Sequence, residues 1–335
     1  MSGDGLVVVV PVHHAPGSGR WRRLDRLADL VACLRSLLRA REVLWAGGRS
    51  ALGDVTVILV DDGSPEPVGP ALPADVQEGV RVERVPVRRG QGAALNWAIR
   101  TVRAAAYALT DSDCQVAEDW LVVIEREYLA VARSGDLLGS AGPPWQHRRG
   151  ATRWSRWLTE QEGRLARGCF VREVDPRAGT VARLDCRNVW LRCEVVAGGG
   201  WFPEHAGAAL SGVVSHRLAA GGRRLRFTPD MVVRHAPVPS AWAQARTYFL
   251  RGATRELGDA YATGHRSLPA AFARTYAHRH FIEPVRWGVH PAYVALAHGA
   301  YWLGLAAGRL RTDAFGWPDR GGTAATIGPE RPGPD

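Results

Sequence analysis

Apolar runs separated by helix-like segments constrain the fold of this chain most strongly. Leu6–Val10 (LVVVV) and Val55–Val60 (VTVILV) are continuous apolar runs, typical of parallel strands covered on both faces. Between them, apolar residues from Trp21 to Leu38 recur at helical spacing. A more polar strand over Val80–Val87 and a helix after Gly92 follow. This order predicts an α/β fold with a doubly wound sheet.

The next strand is predicted within Ala106–Gln115 (AYALTDSDCQ), and it carries two carboxylates at its end. Residues i and i+2 of a strand point to one face, so Asp111 and Asp113, on either side of Ser112, can reach one object. Two neighbouring carboxylates repel each other unless a cation lies between them. Hard divalent ions take oxygen ligands and keep positions open for substrate phosphates. The pattern therefore favours a Mg²⁺ or Mn²⁺ site.

Several polar residues fall at the same edge of the predicted sheet. Ligands of doubly wound sheets bind beyond the carboxyl ends of the strands. Pro11, Asp61, Asp62 and Asp111 all follow or end such strands. We therefore expect one ligand site at this edge.

Composition adds few constraints on partners. A chain of 335 residues with 46% hydrophobic content can form one large domain or two smaller ones. The net charge of +10 would suggest an anionic partner, but the chain has no lysine, so the charge reflects an arginine-rich composition. No nucleic-acid-binding module is recognisable, so no nucleic-acid partner is predicted.

Cysteine usage and hydropathy bear on the compartment. The five cysteines are odd in number and include no CxxC pair, which predicts neither a zinc site nor a disulfide framework. The start of the sequence lacks signal-peptide features, and no apolar segment reaches the roughly 20 residues of a spanning helix. These features predict a cytoplasmic protein.

Four motifs resemble a known family by their order and spacing. They are Leu6–Pro11, VDDGS at Val60–Ser64, RRGQGAALN at Arg88–Asn96 and DSD at Asp111–Asp113. Together they resemble the nucleotide-sugar half of family 2 glycosyltransferases, which have a GT-A fold. The resemblance is strong over residues 5–125 and continues more weakly to about residue 250. It implies sugar transfer from a metal-bound nucleotide diphosphate to a hydroxyl acceptor, with inversion.

The resemblance also implies roles for individual residues. Asp61 or Asp62 would hydrogen-bond the nucleobase beside Pro11, and the Arg89-Gly90 turn would border the nucleotide. The residues implied at the ribose and the metal-bound diphosphate are Asp111, Ser112 and Asp113. His235, in a short strand near the end of the domain, would also reach the metal.

The acceptor half departs from the family pattern. Asn188 and Trp201 would line the acceptor pocket, but the family's Glu-Asp pair, which includes the general base, falls here on Leu210-Ser211. Neither residue can act as a base. Glu204 or His205 could replace it, or the acceptor needs no base, or the transfer retains configuration. Alternatively the protein is a non-catalytic relative that binds nucleotide sugar as a partner or scaffold protein.

The predicted organisation is a GT-A domain over residues 5–260, with a nucleotide-sugar half (5–125) and an acceptor half (126–260). A helical extension (261–311) and a disordered tail (312–335) follow. In the acceptor half, one helix is predicted to present a core-facing stripe of Trp154, Trp157, Leu158 and Leu165, with an acceptor-binding or membrane-facing role as the alternative. In a later helix, Trp242, Ala245, Phe249 and Ala253 share one face. Residues 278–311 fit either an interfacial helix contacting a membrane or, as we favour, a helix packed against the domain.

Overall fold

A computed structural model gives the fold of the chain. It describes residues 5–13, 20–48, 50–132, 137–143, 148, 150, 152–171, 174–181, 184–196, 201–204, 210–220, 223–253 and 282–310. For residues 20–26, 216–217, 219–220 and 309–310 it describes the backbone only.

Eleven strands in the described residues form one large sheet and one small ribbon. They are β1 Gly5–Val12, β2 Asp54–Asp62, β3 Arg81–Val85, β4 Ala106–Leu109, β5 Cys114–Val116, β6 Leu137–Ala141, β7 Val174–Asp175, β8 Thr180–Val181, β9 Val189–Arg192, β10 Arg224–Phe227 and β11 Val233–His235. Nine of them form the large sheet in the order β3-β2-β1-β4-β9-β6-β10-β8-β7, and β11 pairs with β5.

The described helices surround this sheet. They are α1 Arg20–Ala46, α2 Ala74–Gln77, α3 Gln91–Thr101, α4 Trp120–Ala132, α5 Arg153–Val171, α6 Cys193–Val196, α7 Leu210–Ala220, α8 Ala241–Ala253, α9 Glu283–Arg286 and α10 Pro291–Leu310. A short 3₁₀ turn spans Gly69–Ala71.

The central strands confirm the predicted doubly wound α/β arrangement. β1 runs parallel to both β2 and β4, and β2 runs parallel to β3. The β1–β2 register continues to the pair Val12 and Asp61, so β1 passes through Pro11 instead of stopping there. Strand β9 is antiparallel to β4 and starts at the edge where β4 ends. The carboxyl ends of β1, β2 and β4 therefore share an edge with the start of β9.

Alternation along β1 divides the core into two layers. Val8 and Val10 pack in a cluster with residues of α1 and α4, whereas Val7 and Val9 pack in another with residues of α3 and α7. A buried strand with apolar side chains on both faces needs helices on both sides. These two layers fix the positions of the loops at the carboxyl edge.

A third cluster joins α5, α8 and α10. Helices α8 and α10 pack so closely that a side chain at Gly304 would overlap the backbone carbonyl of Phe249. Tyr293 is 0% exposed and Tyr301 is 9% exposed, so neither side chain is available to a bilayer surface. The expectation that this segment packs against the domain is confirmed for residues 291–310. None of the described helices combines the length and the apolar character needed to span a membrane.

The predicted core-facing stripe of α5 is confirmed at Leu158 and Leu165, which lie in the third cluster, but it is wrong at Trp154. Trp154 is 74% exposed and Trp242 is 72% exposed, although helical spacing places each in line with apolar residues. Helix α8 instead buries Gln244, Tyr248 and Gly252, because polar groups of α5 and α10 bind this face. Ser240 caps the helix as expected, since its Oγ accepts from Ala243 N at 3.1 Å. The predicted tail at 312–335 lies outside the described residues, and the predicted domain boundaries remain predictions.

Candidate functional site

The Asp111–Asp113 segment is a turn between two strands, not part of a strand as predicted. Strand β4 ends at Leu109, where its pairing with Val189 of β9 ends, and Cys114 N donates to Asp111 O at 3.0 Å to close the turn. The argument from alternating strand faces therefore does not apply. The turn nonetheless keeps both carboxylates close enough for the charge of Asp113 to act on Asp111.

The small ribbon brings His235 to Asp113. His235 pairs with Cys114 across β11 and β5, and Ala236 N donates to Asp113 O at 2.9 Å. Nδ1 of His235 lies 2.8 Å from the carbonyl oxygen of Ala236, while Nε2 lies 3.3 Å from Oδ1 of Asp113. Because a carbonyl only accepts, Nδ1 is the nitrogen that carries a proton in this contact, and Nε2 is the nitrogen that faces the carboxylate. Histidine ligands of metals are commonly oriented in this way.

The donor atoms in this place fit a hard or borderline cation. Ligand atoms of Asp113, Cys114 and His235 lie within 4.8 Å of one another. The Cys114 side chain is buried, and burial together with the charge of Asp113 raises the pKa of its thiol well above the usual value. A protonated thiol is a poor metal ligand. The carboxylate oxygens and the imidazole nitrogen are therefore the suitable donors, a set that accepts Mn²⁺ or Mg²⁺.

Asp111 lies deeper than Asp113 and is held by Gln91. Gln91 Nε2 donates to Asp111 Oδ1 at 2.7 Å from the first turn of α3. Burial, followed by the charge of Asp113, raises the pKa of Asp111 to about 7, while the guanidinium of Arg187 opposes this rise. A cation bound beside these carboxylates would favour the ionised form of Asp111.

The two aspartates that end β2 order separate loops. Asp61 accepts from Ser64 N at 2.9 Å, from Val68 N at 3.2 Å and from Arg84 Nη1 at 2.9 Å. Asp62 points to the other side of the sheet and accepts from Arg89 N and Gly90 N, both at 2.8 Å. A carboxylate has about four acceptor positions, so lone pairs remain on both, but Asp61 is only 1% exposed and Asp62 only 3% exposed.

The Arg89-Gly90 turn is pinned between Asp62 and the segment 201–204. Arg89 Nη2 lies 2.5 Å from Glu204 Oε2, and Arg100 Nη1 lies 3.8 Å from Oε1. Gly90 has a φ of 98°, which favours glycine. A Cβ at Gly92 would lie 2.5 Å from the carbonyl oxygen of Pro203, so only glycine fits this close contact. Glu204 thus closes the turn, in a position paired with two guanidinium groups.

The predicted acceptor residues have different surroundings. Asn188 is 0% exposed, and its amide accepts from Trp120 Nε1 at 3.0 Å and donates to Met231 O at 2.6 Å. Asn188 therefore links Trp120 to Met231 in the interior and does not line a pocket, because none of its surface is accessible to an acceptor. Trp201 is partly exposed and packs edge-on against Phe202. His205 lies outside the described residues.

Leu210 and Ser211 occupy the place of the family's Glu-Asp pair; Leu210 lies in the core, and Ser211 contacts a loop. Leu210 is 2% exposed, and Ser211 Oγ accepts from Cys186 N at 3.4 Å. Neither side chain offers a proton acceptor of useful basicity. Sequence reasoning missed Gln91, Asp185 and Arg187, which all lie within electrostatic reach of Asp111. Gln91 lies in the RRGQGAALN motif, and Asp185 and Arg187 lie in the stretch Leu184–Val196 that resembles the family's acceptor-side strand, but neither signal identified these residues individually.

A family comparison agrees with this geometry. The profile of "Glycosyl transferase family 2" matches residues 8–130, which run from within β1 through β5 and contain both predicted aspartate motifs. Among curated proteins, no sequence matches the chain significantly.

A comparison with solved structures bears on the fold. The mannosyltransferase PcManGT from Pyrobaculum calidifontis, solved in complex with GDP-Man and Mn²⁺, is similar to this chain with a TM-score of 0.50 and 18% identity, over 91% of this chain and 79% of that chain. A mycobacterial protein is similar with a TM-score of 0.47 and 16% identity, over 76% of this chain and 75% of the other.

The mixed sheet, the helices around it and the loops at its carboxyl edge define a protein with the GT-A fold of nucleotide-sugar-dependent glycosyltransferases. Residues 8–130 match glycosyltransferase family 2, as the resemblance over residues 5–125 predicted, and this match supports glycosyl transfer from a nucleotide sugar.

Proposed function

We propose that this chain transfers a sugar from a nucleotide diphosphate donor held at a divalent cation by Asp113 and His235, with Asp111 beside them. The observation that carries this proposal is the pairing of His235 Nε2 with Asp113 Oδ1 at 3.3 Å while Ala236 O holds Nδ1. A bound divalent cation would supply Lewis-acid neutralisation of the diphosphate. The relative PcManGT, solved with Mn²⁺ and GDP-Man, supports Mn²⁺ as the first ion to test.

The turns at the carboxyl edge would bind the rest of the nucleotide. Asp61 or Asp62 accepts a nucleobase N–H with its remaining lone pairs, and Pro11 packs beside the base. Asp62 fixes Arg89 and Gly90 through their backbone N–H groups, so the turn is ordered before the nucleotide arrives. This preorganisation reduces the entropy lost on binding.

Sugar transfer would proceed by inversion, in a single displacement. An acceptor oxygen attacks the anomeric carbon on the face opposite the diphosphate, and the bond to the diphosphate breaks. Glu204 is paired with Arg89 and Arg100, which supports a role in closing the turn more than one in proton transfer.

A turnover assay tests the proposal. The full chain with Mn²⁺ is incubated with a panel of nucleotide sugars, and release of nucleoside diphosphate is measured. We expect release from at least one donor, and we expect Asp113→Asn to abolish it. Asp230→Asn is the matched control and should retain release, because Asp230 is exposed and forms an ion pair with Arg126, at a distance of 3.1 Å, outside this site. Metal-dependent binding of a donor without any release would support the non-catalytic alternative.

A further inference from the structure

The ribbon of β5 and β11 places a cysteine beside the two groups assigned to the cation. Cys114 lies opposite His235 in this antiparallel pair, and directly opposed residues have neighbouring side chains. Asp113 precedes Cys114, and ligand atoms of these three residues lie within 4.8 Å of one another. The ribbon therefore presents a thiol, a carboxylate and an imidazole at one point, and the thiol lies one residue beyond the DSD motif.

The distances within this group are close to the edges of a tetrahedral zinc site. Asp113 Oδ1 lies 3.3 Å from His235 Nε2 and 3.8 Å from Cys114 Sγ. Zinc bonds of about 2.0–2.1 Å to oxygen or nitrogen and about 2.3 Å to sulfur, directed to the corners of a tetrahedron, separate the donor atoms by roughly 3.3–3.6 Å. One oxygen of Asp113 is therefore spaced from the other two donors nearly as zinc requires.

The thiol lies on the interior side of this group. Cys114 is 0% exposed, whereas the side chains of Asp113 and His235 are 41% and 27% exposed. A cation held by the carboxylate and the imidazole alone can lie toward the solvent, from which a diphosphate approaches. A cation that also binds the sulfur lies deeper in the ribbon. Use of the sulfur therefore changes the position of the cation as well as its coordination.

The identity of the metal decides whether the sulfur is used. Mn²⁺ and Mg²⁺ favour oxygen ligands, so they leave the thiol protonated. Zn²⁺ is a borderline-soft ion that binds thiolate and imidazole, and its affinity for a given set of such ligands exceeds that of Mn²⁺. A thiol that coordinates Zn²⁺ loses its proton. The same three residues can thus hold two kinds of cation in two ways.

We propose that Asp113, Cys114 and His235 form an inhibitory Zn²⁺ site that overlaps the cation site of the proposed function. This inference rests on the proposed function and adds a regulation of it. The S–H bond of Cys114 breaks, a bond from the sulfur to Zn²⁺ forms, and the proton leaves to water without any change of oxidation state. Three protein ligands leave a tetrahedral ion one open position, whereas six-coordinate Mn²⁺ on Asp113 and His235 keeps about four. A diphosphate that binds through two oxygens therefore needs the Mn²⁺ form.

Metal titrations of the full, reduced chain test the site. Zn²⁺ and Mn²⁺ affinities are measured calorimetrically in the parent, Cys114→Ser and Cys193→Ser. Cys114→Ser should lower the Zn²⁺ affinity at least about 10-fold and leave the Mn²⁺ affinity within about threefold, because only Zn²⁺ uses the sulfur. Cys193→Ser is the matched control and should change neither affinity, because Cys193 N donates to Ala105 O beside the start of β4, at the opposite edge of the sheet.

Cobalt gives a second signature that needs no change at position 114. Co²⁺ can take the place of Zn²⁺ in such sites, and a thiolate ligand gives it a sulfur-to-metal charge-transfer band in the near ultraviolet. The band should appear in the parent and in Cys193→Ser and should disappear when Zn²⁺ is added. It should be absent from His235→Ala, which keeps every cysteine but lacks the imidazole. This measurement tests the site even if Cys114→Ser does not fold.

Competition with nucleotide tests the inhibition. GDP and UDP are titrated into the chain with Mn²⁺ alone and with equal amounts of Mn²⁺ and Zn²⁺. Zn²⁺ should weaken nucleotide binding at least about 10-fold in the parent and in Cys193→Ser, but less than about threefold in Cys114→Ser, where the ion is not drawn to the sulfur.

The outcomes separate the zinc site from the proposed function. If neither nucleoside diphosphate binds with Mn²⁺ while the Zn²⁺ affinity depends on Cys114, the proposed function and the inhibition fail and the zinc site stands. If a nucleotide binds with Mn²⁺ but Cys114→Ser and Cys193→Ser have equal Zn²⁺ affinities, the zinc site is rejected. It is rejected as well if Co²⁺ gives no sulfur band that depends on His235. Equal nucleotide affinity with and without Zn²⁺ in the parent would reject the inhibition.

Discussion

His235 Nε2 faces Asp113 Oδ1 at 3.3 Å across two strands that lie more than one hundred residues apart in the sequence. The ribbon of β5 and β11 sets this distance through backbone pairing, and Ala236 O orients the imidazole ring. In the proposed function, this carboxylate and this imidazole would be two ligands of the cation.

Replacement of His235 tests the imidazole as a ligand. His235→Ala should weaken Mn²⁺ affinity about 10-fold or more, because one donor is lost while the carboxylates remain, and even the loss of a group that only hydrogen-bonds a metal ligand typically costs 10- to 100-fold. Calorimetric titration of Mn²⁺ measures the change. His290→Ala is a suitable control, since His290 lies at the start of α10 among residues of α5. Equal affinity in both variants would remove His235 from the site.

The raised pKa of Asp111 predicts a pH-dependent stability of the metal-free chain. The folded pKa of about 7 exceeds the ordinary carboxyl value of 3.8, so folding favours the protonated form. This contribution is present below about pH 4 and is lost as pH rises through 7. At pH 8, the free energy of unfolding of metal-free Asp111→Asn should therefore exceed that of the parent by an amount on the order of 1–3 kcal/mol.

Urea denaturation at pH 4, 6 and 8 in the presence of a chelator measures this difference. The advantage of Asp111→Asn should shrink between pH 8 and pH 4. A constant difference over this range would show that Asp111 does not titrate there in the folded chain.

Asn188 is expected to stabilise the fold and not to bind the acceptor. Asn188→Ala removes the acceptor for Trp120 Nε1 and the donor to Met231 O, all in the interior. The free energy of unfolding should fall by about 2–4 kcal/mol, because buried groups lose their partners. The KM for the acceptor should stay within about twofold of the parent. A large rise in that KM with unchanged stability would restore the pocket role predicted from the sequence.

Two glycines of α10 make a matched pair for the helix contact. A Cβ at Gly304 would overlap Phe249 O of α8, whereas nothing lies within 4 Å of a Cβ at Gly299. Gly304→Ala should lower the free energy of unfolding by about 1–3 kcal/mol through overpacking. Gly299→Ala should be neutral or stabilising by up to about 1 kcal/mol, since alanine favours helices. Thermal unfolding of both variants measures the difference, and equal effects would contradict the close packing of α8 and α10.

The sequence predicts the sheet well because short continuous apolar runs such as Leu6–Val10, bounded by turn residues, are typical of buried strands. It predicts the edge of the sheet at which the aspartates converge for the same reason. It does not predict the Asp111–Asp113 turn, because the end of β4 is set by where β9 begins to pair, almost eighty residues later. The local pattern contains no information about that partner.

The surroundings of individual side chains are harder to predict from the sequence than the sheet. Trp154 and Trp242 have helical spacing with apolar residues but face outward, since tertiary packing decides which face of a helix is covered. The resemblance implied that Asn188 contacts the acceptor, but its side chain is buried and bonds only to neighbouring groups of the interior. Arg187 was overlooked because one arginine among many carries no signal until its pairing with Asp185 is known.

The central claim is that Asp113 holds a divalent cation against a nucleoside diphosphate. Calorimetric titration of GDP and UDP into the chain, with Mn²⁺ and then with chelator, tests it in the parent, Asp113→Asn and Asp230→Asn. The account predicts binding of at least one nucleotide with Mn²⁺ in the parent and in Asp230→Asn, weakened at least about 10-fold by chelator and by Asp113→Asn. Equal Mn²⁺-dependent affinity in Asp113→Asn and the parent would contradict it.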